Sequence, residues 1–228
     1  MRRQATSLPL VTLGILGVLG CGTVPTSGGP ALQGLPPPLQ RVRAEAAAVY
    51  EQAVAGSDEV AFAGPPRVEE AWREARRQAE RDGAPTGAVD AVAAAVTALR
   101  WSVTLRDDDP LAMARAANAV LGATAGLVSF YRPGLPPDTL HLDYLQRELA
   151  LDGLAGDLAS AAARARELEQ AWLAVRAHVL ATGGPQRAAA FDASVGAVRE
   201  AVAARDLERL VRIANRGAAL AADIHGTL

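Results

Sequence analysis

The sequence predicts an all-α protein, an up-and-down bundle of about six to seven helices built round one long helix at about residues 139–182. Three observations predict it. From Pro38 onward, apolar residues recur in steps of three and four, and no window alternates as a half-buried strand would. Gly, Pro and Asp punctuate the chain at short intervals, as helix stops and starts do. The positions Leu151, Leu154, Leu158, Ala161, Ala165, Leu168, Trp172, Val175 and Val179 hold a 3-4 step, which demands a long left-handed packing seam.

The elements follow in order. Leu39, Val42, Ala46, Val49 and Ala53 line a first helix that stops at Gly56. Val68, Trp72, Ala75 and Ala79 face inward on a short, highly charged second helix, which begins after Pro65-Pro66 and ends at Asp82-Gly83. Its remaining positions, "VEEAWREARRQAERDG", mix both signs at helical spacing and read as a solvated face or a docking surface, an exposed Trp72 favouring docking. A third helix starts after Pro85-Thr86 and carries Val89, Val92, Val96, Leu99 and Val103. Asp109 with Pro110 opens the fourth as N-cap and first helical residue, and Pro133-Gly134 ends it. The long fifth begins at the capping pair Asp138-Thr139 after Pro136-Pro137, with Asp152-Gly153 as a point where it can kink, and Gly183-Gly184-Pro185 closes it. Ala188, Phe191, Val195, Val198 and Val202 mark the sixth; Asp206 caps a seventh carrying Leu207, Leu210, Ala214, Gly217, Ala221 and Ile224. Short turns place hairpins three-four and six-seven against the long helix. Tetratricopeptide repeats are the structural alternative, but their Trp, Leu-Gly and Tyr signature is absent at the period of about 34 residues.

Composition narrows the function. All 23 basic residues are Arg, against 25 acids and 51 Ala, and the formal net charge is −2. Nothing in this balance invites nucleic acid or an anionic membrane surface. Cys21 is the only cysteine, so a disulfide framework, a thiolate metal site and a c-type haem are all excluded.

That cysteine lies in "GILGVLGCGTVPTSGG". Arg2 and Arg3 precede an apolar run from Leu8 to Leu19 that is too short to span a bilayer and leads straight into Val18-Leu19-Gly20-Cys21. This segment resembles the signal peptide and lipobox of bacterial lipoproteins, with Gly20 as the small residue at the cut and Leu19 where a small residue is commoner. The resemblance covers about 22 residues and implies cleavage before Cys21, a diacylglycerol on its sulfur and a palmitate-type acyl chain on the new N-terminus. An ordinary signal peptide or uncleaved anchor, and a twin-arginine signal on Arg2-Arg3, are the other readings. Lipidation also consumes a thiol that would otherwise be unpaired in an oxidising compartment. Each buried methylene contributes roughly 0.8 kcal/mol, so two or more chains anchor stably. Residues 1–20 are then a removed signal, 21–38 a lipidated Cys with a Gly/Pro/Ser tether, and 39–228 a single bundle domain. The resemblance favours the outer membrane, because Gly22 is not the Asp that retains enterobacterial lipoproteins at the inner one.

Candidate chemistry is sparse. The segments "DPLAMARAAN" (109–118) and "DLERLVRIAN" (206–215) echo each other, with Asp first, Arg six later and Ala-Asn last. Asn118 and Asn215 read as core polars that satisfy each other or a nearby backbone and fix register, or as a ligand site in a duplicated four-helix unit. His141, Asp143 and Glu148, with Asp223 and His225, would form a metal site if the C-terminus folds back on the start of the fifth helix, although no His-xxx-His or Glu-xx-His motif supports it. No nucleophile elbow, Walker loop or metalloprotease helix occurs, so no catalytic residue and no cofactor beyond the lipid on Cys21 is expected. The expected function is a non-enzymatic binding or scaffolding role in the cell envelope, with the membrane and an envelope protein as partners. The alternative is a carrier of a small ligand or metal inside the bundle.

Overall fold

The computed structural model describes residues 34–57, 63–104, 109–182 and 184–227, and these are helical with no strand among them. The lipobox and Cys21 lie outside the described residues. Among the described residues nine helices follow one another: α1 (Pro37–Val54), α2 (Gly64–Arg81), α3 (Thr86–Thr104), α4 (Pro110–Ala123), α5 (Ala125–Tyr131), α6 (Pro137–Leu154), α7 (Leu158–Thr182), α8 (Pro185–Ala203) and α9 (Leu207–Thr227).

Contacts between neighbours close two rings. In the first unit α1 packs on α2, α2 on α3, α3 on α4 and α4 back on α1; in the second α6 packs on α7, α7 on α8, α8 on α9 and α9 back on α6. Each ring is an up-and-down four-helix bundle. Their registers correspond: α1 and α6 are both 18 residues long, begin at Pro37 and Pro137, and run into Ala55-Gly56 and Ala155-Gly156. Likewise α3 and α8 are both 19 residues, and Asp109 and Asp206 cap the last helix of each ring, accepting from Leu111 N and Ala112 N in one and Arg209 N in the other. The sequence echo therefore occupies equivalent places, the start of α4 and of α9.

The units meet where α4 and α5 pack on α6. α6 is wrapped on most sides, with Leu140 and Leu151 joining the first unit's core and Leu142, Leu145, Leu149 and Ala150 the second's. Five polar residues of this one helix, Thr139, Asp143, Gln146, Glu148 and Asp152, are buried with them. Helices α4 and α5 together (Pro110–Tyr131, mean hydropathy 1.4) are long and apolar enough to cross a membrane by length and composition, yet half of that stretch is buried in the bundle. Its apolarity suits a helix with α1, α3 and α6 against it.

Three expectations are corrected. The single long helix at about 139–182 is two helices, α6 and α7, in a hairpin. Gly156 takes φ +75°, Asp157 N donates to Asp152 O at 2.9 Å and Gly156 N to Gly153 O at 3.2 Å, the left-handed stop that glycine favours. Asp157 then caps α7 by accepting from Ser160 N at 2.9 Å. The fourth helix, expected to run to Pro133, is divided at Thr124 into α4 and α5. Nor does Asp138-Thr139 cap α6: Pro136 is the cap residue without a side-chain bond, and the Thr139 hydroxyl donates back to Pro136 O at 2.6 Å.

The turn between α8 and α9 has the same geometry with a different residue. Asp206 N donates to Ala201 O at 2.9 Å and Arg205 N to Val202 O at 3.1 Å, but the left-handed position is Arg205, φ 55°. A residue with a Cβ is strained there by roughly 1–2 kcal/mol. Arg205→Gly, exposed and bonded through its backbone alone in this turn, is expected to raise stability by about 1 kcal/mol. Thermal melts check it; a lower midpoint contradicts it.

Candidate functional site

The chemistry-bearing side chains gather on α6 where it faces the first unit. Arg115 on α4 reaches across with both terminal nitrogens, Nη1 to Glu148 Oε2 at 2.9 Å and Nη2 to Asp152 Oδ1 at 2.8 Å. The spacing explains the fork: Glu148 and Asp152 lie one turn apart on one face, and the guanidinium presents two parallel donors. Three residues along the same face of α4, Asn118 Nδ2 donates to Glu148 Oε1 at 2.8 Å and to Tyr144 O at 3.1 Å. Asp152 is 1% exposed and Asn118 fully buried, while Arg115 keeps about a third of its side chain (35%) in solvent. Burial outweighs the arginine and holds the Asp152 carboxyl above its usual pKa, whereas the two carboxylates hold Arg115 above its own despite desolvation. Asp152 Oδ2 and Asn118 Oδ1 remain buried without a hydrogen-bond partner.

A second polar group joins α1, α6 and α9. Arg147 donates from Nε to Asp143 Oδ1 at 3.1 Å and lies 4.8 Å from the ring centre of Tyr50, whose hydroxyl donates to Arg147 O at 3.4 Å. Desolvation pushes the Tyr50 phenol up to about 12. Arg43 on α1 binds Thr124 Oγ1 and, at 3.2 Å, Leu121 O; burial lowers its pKa. His225 near the end of α9 is buried and bonds Thr139 O through Nε2.

The C-terminus folds back on the start of α6, the condition set for the metal site, but the five candidate ligands are not brought together. His141 is exposed and stacked on Tyr144, Asp143 belongs to Arg147, Glu148 to Arg115 and Asn118, Asp223 to Arg187 on α8 at 2.7 Å, and His225 to a carbonyl. No three His, Cys, Asp or Glu side chains group as a metal site among the described residues. The asparagines also part company. Asn118 is fully buried and bonded to α6, whereas Asn215 is exposed, so they neither satisfy each other nor share an environment. The equivalent face of α4 has α6 against it; that of α9, with Arg212, Asn215 and Ala219, is exposed. Trp72 is 5% exposed and packs into the first core, which removes the support an exposed indole would have lent to docking there. The ion pairs along α2 join Arg73 to Glu69 and Arg76 to Glu80.

Arg115, Tyr144, Asp152, Arg43 and Arg147 were missed as site residues. One signal was available: α6 interleaves charges with leucines on every face, and a helix apolar all round is one enclosed by its neighbours. Arg115 stood inside the echoed segment, three residues before Asn118.

His225 makes stability depend on pH. Desolvation chiefly, with Arg43 and Arg132 nearby, lowers its folded pKa against the opposing pull of Asp143 and the Thr139 carbonyl. The neutral form is the one the fold binds, so this contribution is complete above the unfolded value of about 6.5 and is lost as pH falls below it toward the lowered folded value. Urea midpoints should therefore drop between about pH 7 and about pH 5.5, and less so in His225→Gln. Equal drops in both would refute the assignment.

These sites sit on a tandem four-helix, all-α fold. No family model, no curated protein and no solved structure matches the chain.

Proposed function

We propose that the protein is a lipid-anchored extracytoplasmic helical bundle with a non-enzymatic binding or scaffolding role in the cell envelope, held at the outer membrane. The observation that carries this reading is the short apolar run ending in Val18-Leu19-Gly20-Cys21, with the chain's only cysteine at the modification point. The Gly/Pro/Ser tether then leads to Pro37, where α1 begins. The interior chemistry supports the non-enzymatic half. Each of the buried carboxylates Asp143, Glu148 and Asp152 is bound by an arginine of the fold, which suits a lock between helices better than a poised acid or base.

Metabolic labelling with a palmitate analogue tests the anchor: the wild-type chain should incorporate label and Cys21→Ser should not. Equal labelling would end the lipoprotein reading. Crosslinking in intact envelopes tests the role, with one stable protein partner expected.

One observation favours the carrier as a second reading. Gln146 is fully buried, and neither its Oε1 nor its Nε2 has a hydrogen-bond partner, so a small polar ligand would find both a donor and an acceptor there. Native mass spectrometry of the mature protein, with elemental analysis, distinguishes the two: a stoichiometric retained ligand or metal would displace the scaffolding role.

A further inference from the structure

The chain is a repeat with two open ends. Its four-helix units meet through α4, which closes the ring of the first, and α6, which opens the second. Because the units share a register, the same two surfaces recur without a partner helix, one on α9 and one on α1. Arg115, Asn118 and Gly122 line the seam from α4. Counted from the caps Asp109 and Asp206, their places on α9 are Arg212, Asn215 and Ala219, and all three are exposed. Tyr144, Glu148 and Asp152 line the seam from α6. Counted from Pro37 and Pro137, their places on α1 are Ala44, which is exposed, and Ala48 and Gln52, which are half-buried.

The direction of the seam sets what each open face would meet. It runs antiparallel: Arg115 reaches Glu148 and Asp152, while Gly122 comes so near Tyr144 that a Cβ would stand 2.9 Å from its ring. The same register sets Arg212 against Gln52 and Ala219 against Ala44. Gln52 Oε1 is buried without a hydrogen-bond partner, at the place where Asp152 accepts from Arg115. The contact of glycine with tyrosine becomes alanine on alanine, so the level stays closely packed. Where α6 has its two carboxylates, α1 has Ala48 and Gln52, and its own carboxylate, Glu51, is exposed beside Gln52. Arg212 holds Glu208 within its own helix, but both are exposed and such a pair exchanges readily. With fewer charges to bury, this seam also costs less desolvation than the one inside the chain.

We propose that a second copy of this chain docks its α1 on α9, head to tail, repeating between molecules the seam that joins the two units within one. The contact is heterologous, so its repetition gives a ring or an open row. It goes beyond the envelope role and does not depend on the lipid. Cysteine crosslinking between separate chains tests it. Cys21→Ser leaves the full chain without a thiol, and a disulfide forms only where Cα atoms come within about 7 Å. One such chain carries Ala44→Cys and the other Ala219→Cys, mixed in detergent under mild oxidation. Disulfide dimers are expected from the mixture and from neither chain alone. Arg212→Glu in the Ala219→Cys chain faces Glu51 with a like charge and should lower the yield roughly fivefold or more; Glu51→Arg in the other chain should restore it. Circular dichroism should stay helical throughout, since all these positions are exposed. No dimer in the mixture, equal dimer from either chain alone, or no response to the charge reversals would overturn the proposal. So would equal dimer when Ala177→Cys, on the exposed side of α7, replaces Ala219→Cys.

Discussion

Arg115→Ala is expected to destabilise the protein by about 3 kcal/mol, the lower end of the cost of leaving buried charges unpaired. The side chain is a third exposed, so part of its own charge is already solvated, but its partners Glu148 and Asp152 are 5% and 1% exposed and would be left in the seam between the units. Asn118 supplies one hydrogen bond to Glu148 and cannot replace a charge. The deficit should shrink on acidification. Burial already holds the Asp152 carboxyl above its unfolded value, and without Arg115 it would rise further. A folded pKa above the unfolded one means that the folded state binds the extra proton, so stability rises as pH falls through it. Urea melts of wild type and Arg115→Ala at about pH 7 and about pH 4.5 should therefore differ most at the higher pH. Replacing all three charges with Leu, Gln and Asn should recover most of the loss. A variant as stable as wild type at neutral pH would show that solvent, not the seam, carries these charges.

The same seam shows how far the sequence could be read. Several helix ends were legible from residue types with a local mechanism: Gly56, Gly83, Asp109 and Asp206 end or begin helices as their caps require, although Asp138-Thr139 does not. The turn after α6 was hidden because the step from Leu154 to Leu158 stays in phase across Ala155-Gly156-Asp157. The repeat reads as unbroken, although Leu154 is 44% exposed at the end of its helix. The asparagine echo failed for a different reason. Equivalent positions in the two units share Asp, Arg and Ala-Asn but have unequal neighbours, and the presence of α6 against α4 buries Asn118 while Asn215 stays exposed. Asp143, Glu148 and His225 were singled out together as metal ligands; the structure buries all three, but gives the two carboxylates to arginines and the imidazole to the Thr139 carbonyl.

The correspondence between units also predicts a compensating pair. Gly217 on α9 sits so close to α6 that a Cβ there would lie 2.4 Å from Gln146 Cδ and Nε2. Gln146 is fully buried and its amide would have to shift within the bundle, so Gly217→Ala is expected to cost about 1 kcal/mol, the low end of overpacking. In the first unit the matching register holds the opposite sizes. Ala46 on α1 stands where α6 has Gln146, counted from Pro37 and Pro137, and Val120 on α4 stands where α9 has Gly217, counted from Asp109 and Asp206. Both are fully buried. Each ring thus fills this layer with one larger and one smaller residue and exchanges which helix supplies the larger. Gln146→Ala alone opens a void but also removes an amide that makes no hydrogen bond, so its cost should be modest, about 1 kcal/mol. Gln146→Ala with Gly217→Val should then install the first unit's pair in the second and recover most of what either change loses. A double-mutant cycle on denaturant midpoints measures this: a coupling of about 1 kcal/mol or more in the rescuing direction is expected between residues in contact. Additive losses would mean that the two rings share a topology without sharing the packing of this layer.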